Sequence, residues 1–283
     1  MADFRNALTV DVEDYFHVSA LAPHIPRSDW ARLPCRVERN TERILETLEE
    51  GGARATFFVL GWVAERYPAL VRRIVDGGHE LASHGYGHQR VCDLSEKEFR
   101  DDARRARELL EQTGGVPVHG YRAPSFSIGK LTPWAHRVLR DTGHRYSSSL
   151  YPVRHDHYGD PLAPRFPHAA DTAGVTELPM TTVRLFGRNW PAAGGGYFRL
   201  LPYQLSRRCL QRVNAADNRP CIFYLHPWEI DPHQPRQRGL PVKTRLRHYL
   251  NLRRTEPRLR RLLGDFHWDR LDRVFPEAAE DPS

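Results

Sequence analysis

A chain of 283 residues that is 40% hydrophobic and 27% charged carries enough apolar material for one sizeable core, which excludes disorder and fibrous architectures. Its 42 Lys+Arg outnumber 35 Asp+Glu, yet Lys97, Lys130 and Lys243 are the only lysines. Arginines so dispersed, with no recognition motif, read as codon bias and exclude a dedicated nucleic-acid binder.

No basic region leads into an apolar segment at the N-terminus, and no run approaches the roughly 18 apolar residues of a spanning helix, so a cytoplasmic protein is expected. Cys35, Cys92, Cys209 and Cys221 form no C-x-x-C pair, which argues against a zinc knot or a disulfide framework.

In chain order, residues 7–12 read as a short buried strand. A helix over 37–50 follows, with Val37, Ile44, Leu45 and Leu48 near one face and a stop at Gly51-Gly52. Residues 55–60 are a second strand, 69–75 an amphipathic helix stopped by Gly77-Gly78, and 79–82 a third strand. Ser95 with Glu98 forms a capping box ahead of a helix carrying Phe99, Ala103, Ala106 and Leu110. Thr132-Pro133 predicts the start of a helix ending at Gly143. Residues 151–170 have no periodicity and read as loop. A strand pair is expected over 175–179 and 182–185, then a glycine-rich turn at 194–196, a helix over 204–213, a strand over 220–225, and outer helices across the arginine-studded 246–271. Strands alternating with helices imply an α/β fold with a parallel sheet, and the chain reads as one domain over 1–283.

Chemistry gathers at strand ends. Asp11, Glu13 and Asp14 crowd three carboxylates within four residues at the end of the first strand, and His84 and His88 follow the third. One carboxylate with two histidines is an open metal site that leaves room for water. In a parallel barrel, catalytic groups assemble at the C-terminal ends of the strands.

On these residues the chain resembles the carbohydrate esterase family 4 polysaccharide deacetylases, the NodB-homology proteins. Leu8-Thr-Val-Asp-Val-Glu-Asp14 is similar to the family's first motif, Ser83-His-Gly-Tyr-Gly-His88 to its metal-binding second, and Tyr121-Arg-Ala-Pro124 to its third. Tyr146-Ser-Ser-Ser149 falls near the fourth, and Phe223-Tyr-Leu-His226 resembles the fifth. The resemblance covers about 7–230 and implies a distorted (β/α) barrel there, with a C-terminal helical extension over about 231–276. Asp11-Val-Glu-Asp-Tyr-Phe16, Gly194-Gly-Gly-Tyr-Phe-Arg199 and Phe223-Tyr-Leu-His-Pro-Trp-Glu229 resemble the exosortase-associated (PEP-CTERM) deacetylases of exopolysaccharide gene clusters.

The resemblance implies a metal-dependent N-deacetylase acting on N-acetylhexosamine units of a polysaccharide or a lipid-linked precursor. Asp11 would be the general base, His226 the acid protonating the leaving amine, and Arg122 the partner that orients Asp11. His84 and His88 would hold a divalent cation, Zn2+ foremost, with Co2+, Ni2+ or Fe2+ as alternatives. Where the family has adjacent aspartates this chain does not: Asp14 is preferred here as the third ligand, with Glu13, on Asp11's strand face, as the alternative. Ser147 stands where the family has Asp, so the carboxylate orienting His226 is open among Asp156, Glu229 and Asp231. Tyr121 and Trp228 are expected at the substrate, and Trp190, Tyr197 and Phe198 are further aromatic candidates, Phe198 being more in keeping with core. The tail arginines leave a peripheral membrane contact open. Two other readings fit the same residues: a hydrolase of small cyclic amides, and a carbohydrate-binding protein that has lost catalysis, suggested by Ser147.

Overall fold

The computed structural model describes residues 4–155, 159–170 and 174–280. Its main sheet has nine strands: β1 (Arg5–Val12), β2 (Thr56–Val59), β3 (Glu80–Ser83), β4 (Gly120–Tyr121), β5 (Tyr146–Ser147), β6 (His168–Ala169) and β7 (Thr176–Glu177), then β10 (Ile222–Leu225) and β11 (His267–Asp269). They run in the order β10-β1-β2-β3-β4-β5-β7-β6, with β11 beside the start of β1. Every pairing is parallel except β6 with β7, and the sheet curls into a half-barrel. The expected α/β class and parallel sheet are therefore seen, as an open curl.

Helices α1 (Val37–Glu50), α2 (Gly61–Arg66), α3 (Pro68–Asp76), α4 (Glu96–Gly114) and α5 (Ala135–Asp141) follow successive strands. Residues sort by strand alternation. Leu8, Val10 and Val12 of β1 pack with Ile44 and Leu48 of α1 and Leu70 and Ile74 of α3 in the layer between sheet and helices. Ala7 belongs instead with Phe58, Ala82, Tyr146, Ile222 and Tyr224 in a second apolar cluster inside the curl. At α4 the expected capping box is present, with the Ser95 hydroxyl accepting from Glu98 N and the Glu98 carboxylate accepting from Ser95 N at 2.8 Å.

Three local expectations fail. The segments 175–179 and 182–185 do not pair: β7 joins the main sheet beside β5, while β8 (Thr182–Leu185) pairs antiparallel with β9 (Arg188–Pro191). Thr132 does not cap a helix, because its hydroxyl closes a turn on Gly129 and α5 begins at Ala135. Gly194 to Gly196 is neither a hairpin turn nor a simple loop. It opens α6 (Gly195–Leu200), with Gly194 at φ 114° and bridged to Tyr224, where a Cβ would meet the Tyr224 carbonyl at 2.1 Å. Helix α7 (Tyr203–Arg212) matches its prediction, and the tail forms α8 (Val242–Tyr249) and α9 (Leu252–Asp265). The tail is not purely peripheral, since β11 returns to the main sheet. No helix among the described residues is long and apolar enough to cross a membrane.

One buried carboxyl gives the fold a pH dependence. Glu80 sits under the curl, accepting from Thr56 Oγ1 at 2.5 Å and Tyr146 OH at 2.7 Å. Burial and the neighbouring Asp272 carboxylate push its pKa up to about 7, against those two donors. A raised carboxyl stabilises the fold fully below the ordinary glutamate value and loses that contribution as pH climbs through the folded value. Between pH 5 and pH 8 the native protein should lose up to roughly 3 kcal/mol relative to Glu80→Gln. Urea denaturation at several pH values checks this, and parallel curves for the two proteins would contradict it.

Candidate metal and acid–base site

The alternation that sorts the core also builds the site. Ala7, Thr9, Asp11 and Glu13 follow one another on the inner side of β1 and its exit; Ala82 leads to His84; and Ile222 and Tyr224 lead to His226. Asp11, Glu13, His84 and His226 thus emerge at the C-terminal ends of the parallel strands β1, β3 and β10.

Arg122 leaves β4 on the same inner side and is completely buried. Its Nη1 donates to Asp11 Oδ1 and Thr9 Oγ1, both at 2.7 Å. Its Nε donates to Ser148 O at 3.0 Å, and its Nη2 to Ser148 Oγ at 2.8 Å and Met180 Sδ at 3.4 Å. Every face of the fork is engaged, so Asp11 is held as an oriented carboxylate.

Glu13 lies among three imidazoles. Its Oε2 is 2.8 Å from His88 Nε2, and its Oε1 is 3.1 Å from His226 Nε2. Burial opposes its charge, but His88, His226 and His84 outweigh this and hold the carboxyl well below the usual range. The first contact lacks hydrogen-bond alignment, leaving Oε2 buried without a hydrogen-bond partner among the described residues. His84 Nδ1 lies 2.8 Å from the Arg122 carbonyl, which fixes it as the donor and leaves Nε2 with a free lone pair. Burial lowers the His84 pKa to about 4, so the ring is neutral, as a ligand must be. Ligand atoms of Glu13, His84 and His88 all lie within 4.8 Å of one another. One carboxylate and two imidazoles with converging lone pairs fit a divalent transition metal.

Asp14 is not part of this cradle. It follows Glu13 by one residue, so it turns to the opposite side, toward the start of α1. There its carboxylate accepts from Tyr15 N and Val37 N, each at 2.8 Å, from Cys35 Sγ at 3.1 Å, and from Arg36 N. The carboxylate position preferred from sequence thus goes to Glu13, the alternative.

On the other side of Glu13, His226 Nε2 is 3.9 Å from Asp11 Oδ2, and its Nδ1 faces Glu229 Oε2 at 3.1 Å. Burial works against the imidazolium, but Glu13, Glu229 and Asp11 outweigh it and raise the pKa to about 9. Glu229 is itself buried, and Arg199 and His226 hold its pKa down at about 2; Arg199 Nε lies 2.7 Å from Glu229 Oε1. Of the carboxylates considered for orienting His226, Glu229 is the one in place. Asp231 is bound to Arg36 at 2.5 Å, and Asp156 lies outside the described residues. Ser147 donates to Ser149 Oγ at 2.8 Å.

The side chains of both aromatic residues expected at the substrate are buried. Tyr121 precedes Arg122 on β4 and therefore points outward, where it is buried against Phe99 and His144. Trp228 is also buried, stacked on His226 at 5.2 Å and 22° and on His248 at 4.5 Å and 12°. It packs behind the imidazole and offers no face to a sugar. Phe198 packs on Phe223 in the core, and Trp190 stands half exposed on the β8–β9 hairpin.

Sequence reasoning missed three residues. In sequence Arg199 is one arginine among 39, marked only by the glycines before it. Ser148 hides in a serine triplet. His17 was legible as the third residue after the cap Asp14: its Nδ1 accepts from Asp14 N at 2.8 Å, which puts the proton on Nε2. That Nε2 is buried with no partner among the described residues, in a box of Phe16, Trp30 and Trp62.

With the site in view, likenesses to known proteins can be set beside it. Residues 30–147 match the sequence model "Polysaccharide deacetylase", and residues 148–276 match a domain of unknown function, DUF3473. The chain is 34% identical over 84 residues to the peptidoglycan-N-acetylglucosamine deacetylase of Bacillus cereus, a match covering 30% of each chain. It is 30% identical over 108 residues to the peptidoglycan deacetylase of Helicobacter pylori, covering 38% of this chain and 36% of that one. The matched stretch spans about a third of these relatives' length. In fold, the chain is similar to a candidate polysaccharide deacetylase from Mycobacterium smegmatis, with a TM-score of 0.63 at 21% identity, covering 98% of this chain and 92% of that one. His84, His88 and Arg122 lie in the first matched region and His226, Glu229 and Arg199 in the second, while Asp11 and Glu13 precede both.

Proposed function

We propose that this chain, whose residues 30–147 match the polysaccharide deacetylase family, is a metal-dependent N-deacetylase of N-acetylhexosamine units in a polysaccharide, an exopolysaccharide or its precursor being the substrate class favoured by the sequence. The observation that carries this reading is the meeting of three devices on one face. They are a carboxylate clamped by a buried arginine, a Glu/His/His cradle, and an imidazole backed by a carboxylate–arginine pair.

A divalent cation in the cradle would polarise an amide carbonyl and lower the pKa of water. The chain's own groups divide the proton work. Asp11, aimed by Arg122, accepts the proton from the attacking water. His226 donates through Nε2 to the departing amine, its Nδ1 proton held on Glu229. Arg199 keeps Glu229 charged, so the imidazole has one orientation and one tautomer. Ser147, whose presence suggested lost catalysis, is not needed for this, because Glu229 supplies the carboxylate.

The test is acetate release from N-acetylglucosamine oligomers and from exopolysaccharide repeat units, with zinc or cobalt restored. One acetate per free amine is expected; silence on every substrate from protein that binds no metal overturns the reading. Ring opening of a ureide or imide without acetate release would move the assignment to small cyclic amides. Within the site, Glu229→Gln should lower kcat about 10²-fold, within the range of one proton-transfer partner, with metal content unchanged. An unchanged kcat would remove Glu229 from the proton path.

A further inference from the structure

A stack of three rings joins the C-terminal segment to His226. Trp228 lies nearly parallel to its two neighbours, His226 at 5.2 Å and 22° and His248 at 4.5 Å and 12°. His248 comes from the last turn of α8 and is buried, as are Trp228 and Gln234. Gln234 Nε2 donates to the Trp228 and Asp231 carbonyls at 2.8 and 3.2 Å, which leaves its Oε1 to accept from His248 Nε2 at 2.7 Å. The His248 proton is thereby fixed on Nε2. Burial lowers the pKa of this ring to about 3, so a neutral imidazole backs the indole. Arg199 closes the loop: its Nε donates to Glu229 Oε1 at 2.7 Å, and its Nη1 to the His248 and Leu250 carbonyls at 2.9 and 3.1 Å. One guanidinium holds both the carboxylate beside His226 and the helix end that carries the outer ring.

Hydrogen bonding does not select these ring positions. Trp228 Nε1 and His248 Nδ1 are both buried without a hydrogen-bond partner among the described residues, which costs stability. What the two rings supply is their faces. The torsion that turns a planar ring has broad wells, and a single contact with Glu229 fixes the edge of the His226 imidazole but not its plane. The flat face of Trp228 sets that plane, provided the indole is itself held from behind.

We infer that His248 and Gln234 are positioning residues for His226: acting through Trp228, they set the plane of its imidazole and so aim Nε2 at the leaving amine. Both lie in the region that matches a domain of unknown function, which gives that part of the chain a share in the catalytic apparatus. The aim at an amine rests on the proposed deacetylation; the placement of the ring does not.

The test is His248→Ala in the full chain with zinc added, which leaves Asp11, Glu13, His84, His88 and His226 in place. Its kcat for acetate release from an N-acetylglucosamine oligomer should fall at least about tenfold, with KM little changed. Hydrolysis of para-nitrophenyl acetate, whose phenolate departs without a proton, should stay within about threefold of the parent. His248→Phe restores a flat ring without the bond to Gln234, so its kcat should return to within about threefold of the parent while its urea midpoint stays low. Leu139→Ala, a cavity in a separate apolar cluster, should lower the urea midpoint with kcat unchanged. The His226 Nδ1 proton resonance, assigned in histidine-labelled protein by its loss in His226→Gln, should shift in His248→Ala and return in His248→Phe. An unmoved resonance, a kcat for His248→Ala within about twofold of the parent, or equal losses on the amide and the aryl ester overturns the inference. If the parent releases no acetate, the deacetylase reading falls, and the resonance alone decides whether α8 holds the imidazole.

Discussion

Glu13→Gln is expected to lose bound metal while staying folded, and Asp14→Asn to do the reverse. The two carboxylates are neighbours in sequence and lie on opposite sides of the strand exit, so the pair separates ligation from architecture. Glu13 meets three imidazoles, and its Oε2 has no hydrogen-bond partner among the described residues. Replacing one oxygen by an amide removes the charge and one lone-pair donor. Disturbing even an outer partner of a metal ligand costs 10–100-fold in affinity, and loss of the carboxylate itself should exceed that. Stability without metal should fall somewhat, because the charged His226 imidazole loses one of the carboxylates that offset its burial, while the junction made by Asp14 is untouched. Asp14 accepts from Tyr15 N, Arg36 N, Val37 N and Cys35 Sγ, joining the end of β1 to the first turn of α1. An amide cannot accept all four, so Asp14→Asn should cost about 2–3 kcal/mol with metal stoichiometry intact. Metal content by elemental analysis and urea midpoints decide the matter. Metal loss in Asp14→Asn without destabilisation would restore Asp14 as the ligand.

That assignment also marks where sequence reasoning holds and where it stops. Period-two alternation predicts that Asp11 and Glu13 share a face, and β1 obeys it through Ala7 and Thr9. Asp14 is favoured from sequence only if the backbone turns past the strand end. It does turn, into a short helix at Tyr15, but Asp14 caps that helix and stays with α1. Applied to β4, the same alternation places Arg122 inside and turns the Tyr121 ring outward, so the ring cannot stack on a sugar, by a rule already available. Glu229 is different. Its position three residues after His226 is compatible with a loop carboxylate facing either way, and the short helix Pro227–Ile230 that turns it back on the imidazole is set by Trp228 packing on His248, a contact 20 residues distant. Part of the turn is local, since Pro227 opens the helix and the Glu229 carboxylate also accepts from His226 N at 3.0 Å, but the aromatic support behind it leaves no local signal.

For the fold, local chemistry is legible and long-range pairing is not. The helix over Val37–Glu50 and the Ser95 cap follow from apolar spacing and capping residues alone. The partner of residues 182–185 depends on competition: β7 finds an open edge beside β5, which leaves β8 to pair with β9 through the two-residue turn Phe186-Gly187. The tail strand β11 is three residues long, and its place beside β1 is fixed by Trp268 packing in the outer core. A segment so short has too little pattern to be seen without its neighbours.

Arg122→Met should be the most damaging single substitution in the site. The guanidinium is wholly buried, and its charge faces a carboxylate that is 2% exposed. A buried ion pair contributes little net stability against an apolar replacement of both partners, yet removing one partner leaves an uncompensated charge at about 3–5 kcal/mol. Thr9 Oγ1 and the Ser148 carbonyl lose their donor as well. The double variant Asp11→Asn/Arg122→Met removes both charges together, so it should be more stable than the sum of the single losses allows, with a coupling of about 1–3 kcal/mol. Arg122→Lys distinguishes charge from geometry. Lysine returns a cation to Asp11 but cannot donate along the fork to Asp11, Thr9 and Ser148 at once. It should therefore recover part of the stability while kcat for acetate release stays at least about 10²-fold down, with KM little changed. Urea denaturation of the parent, the two single variants Arg122→Met and Asp11→Asn, the double variant and Arg122→Lys, with steady-state kinetics of the lysine variant, reads both effects. A cost below about 1 kcal/mol for Arg122→Met, or full activity in Arg122→Lys, would mean that Asp11 keeps its position without the arginine.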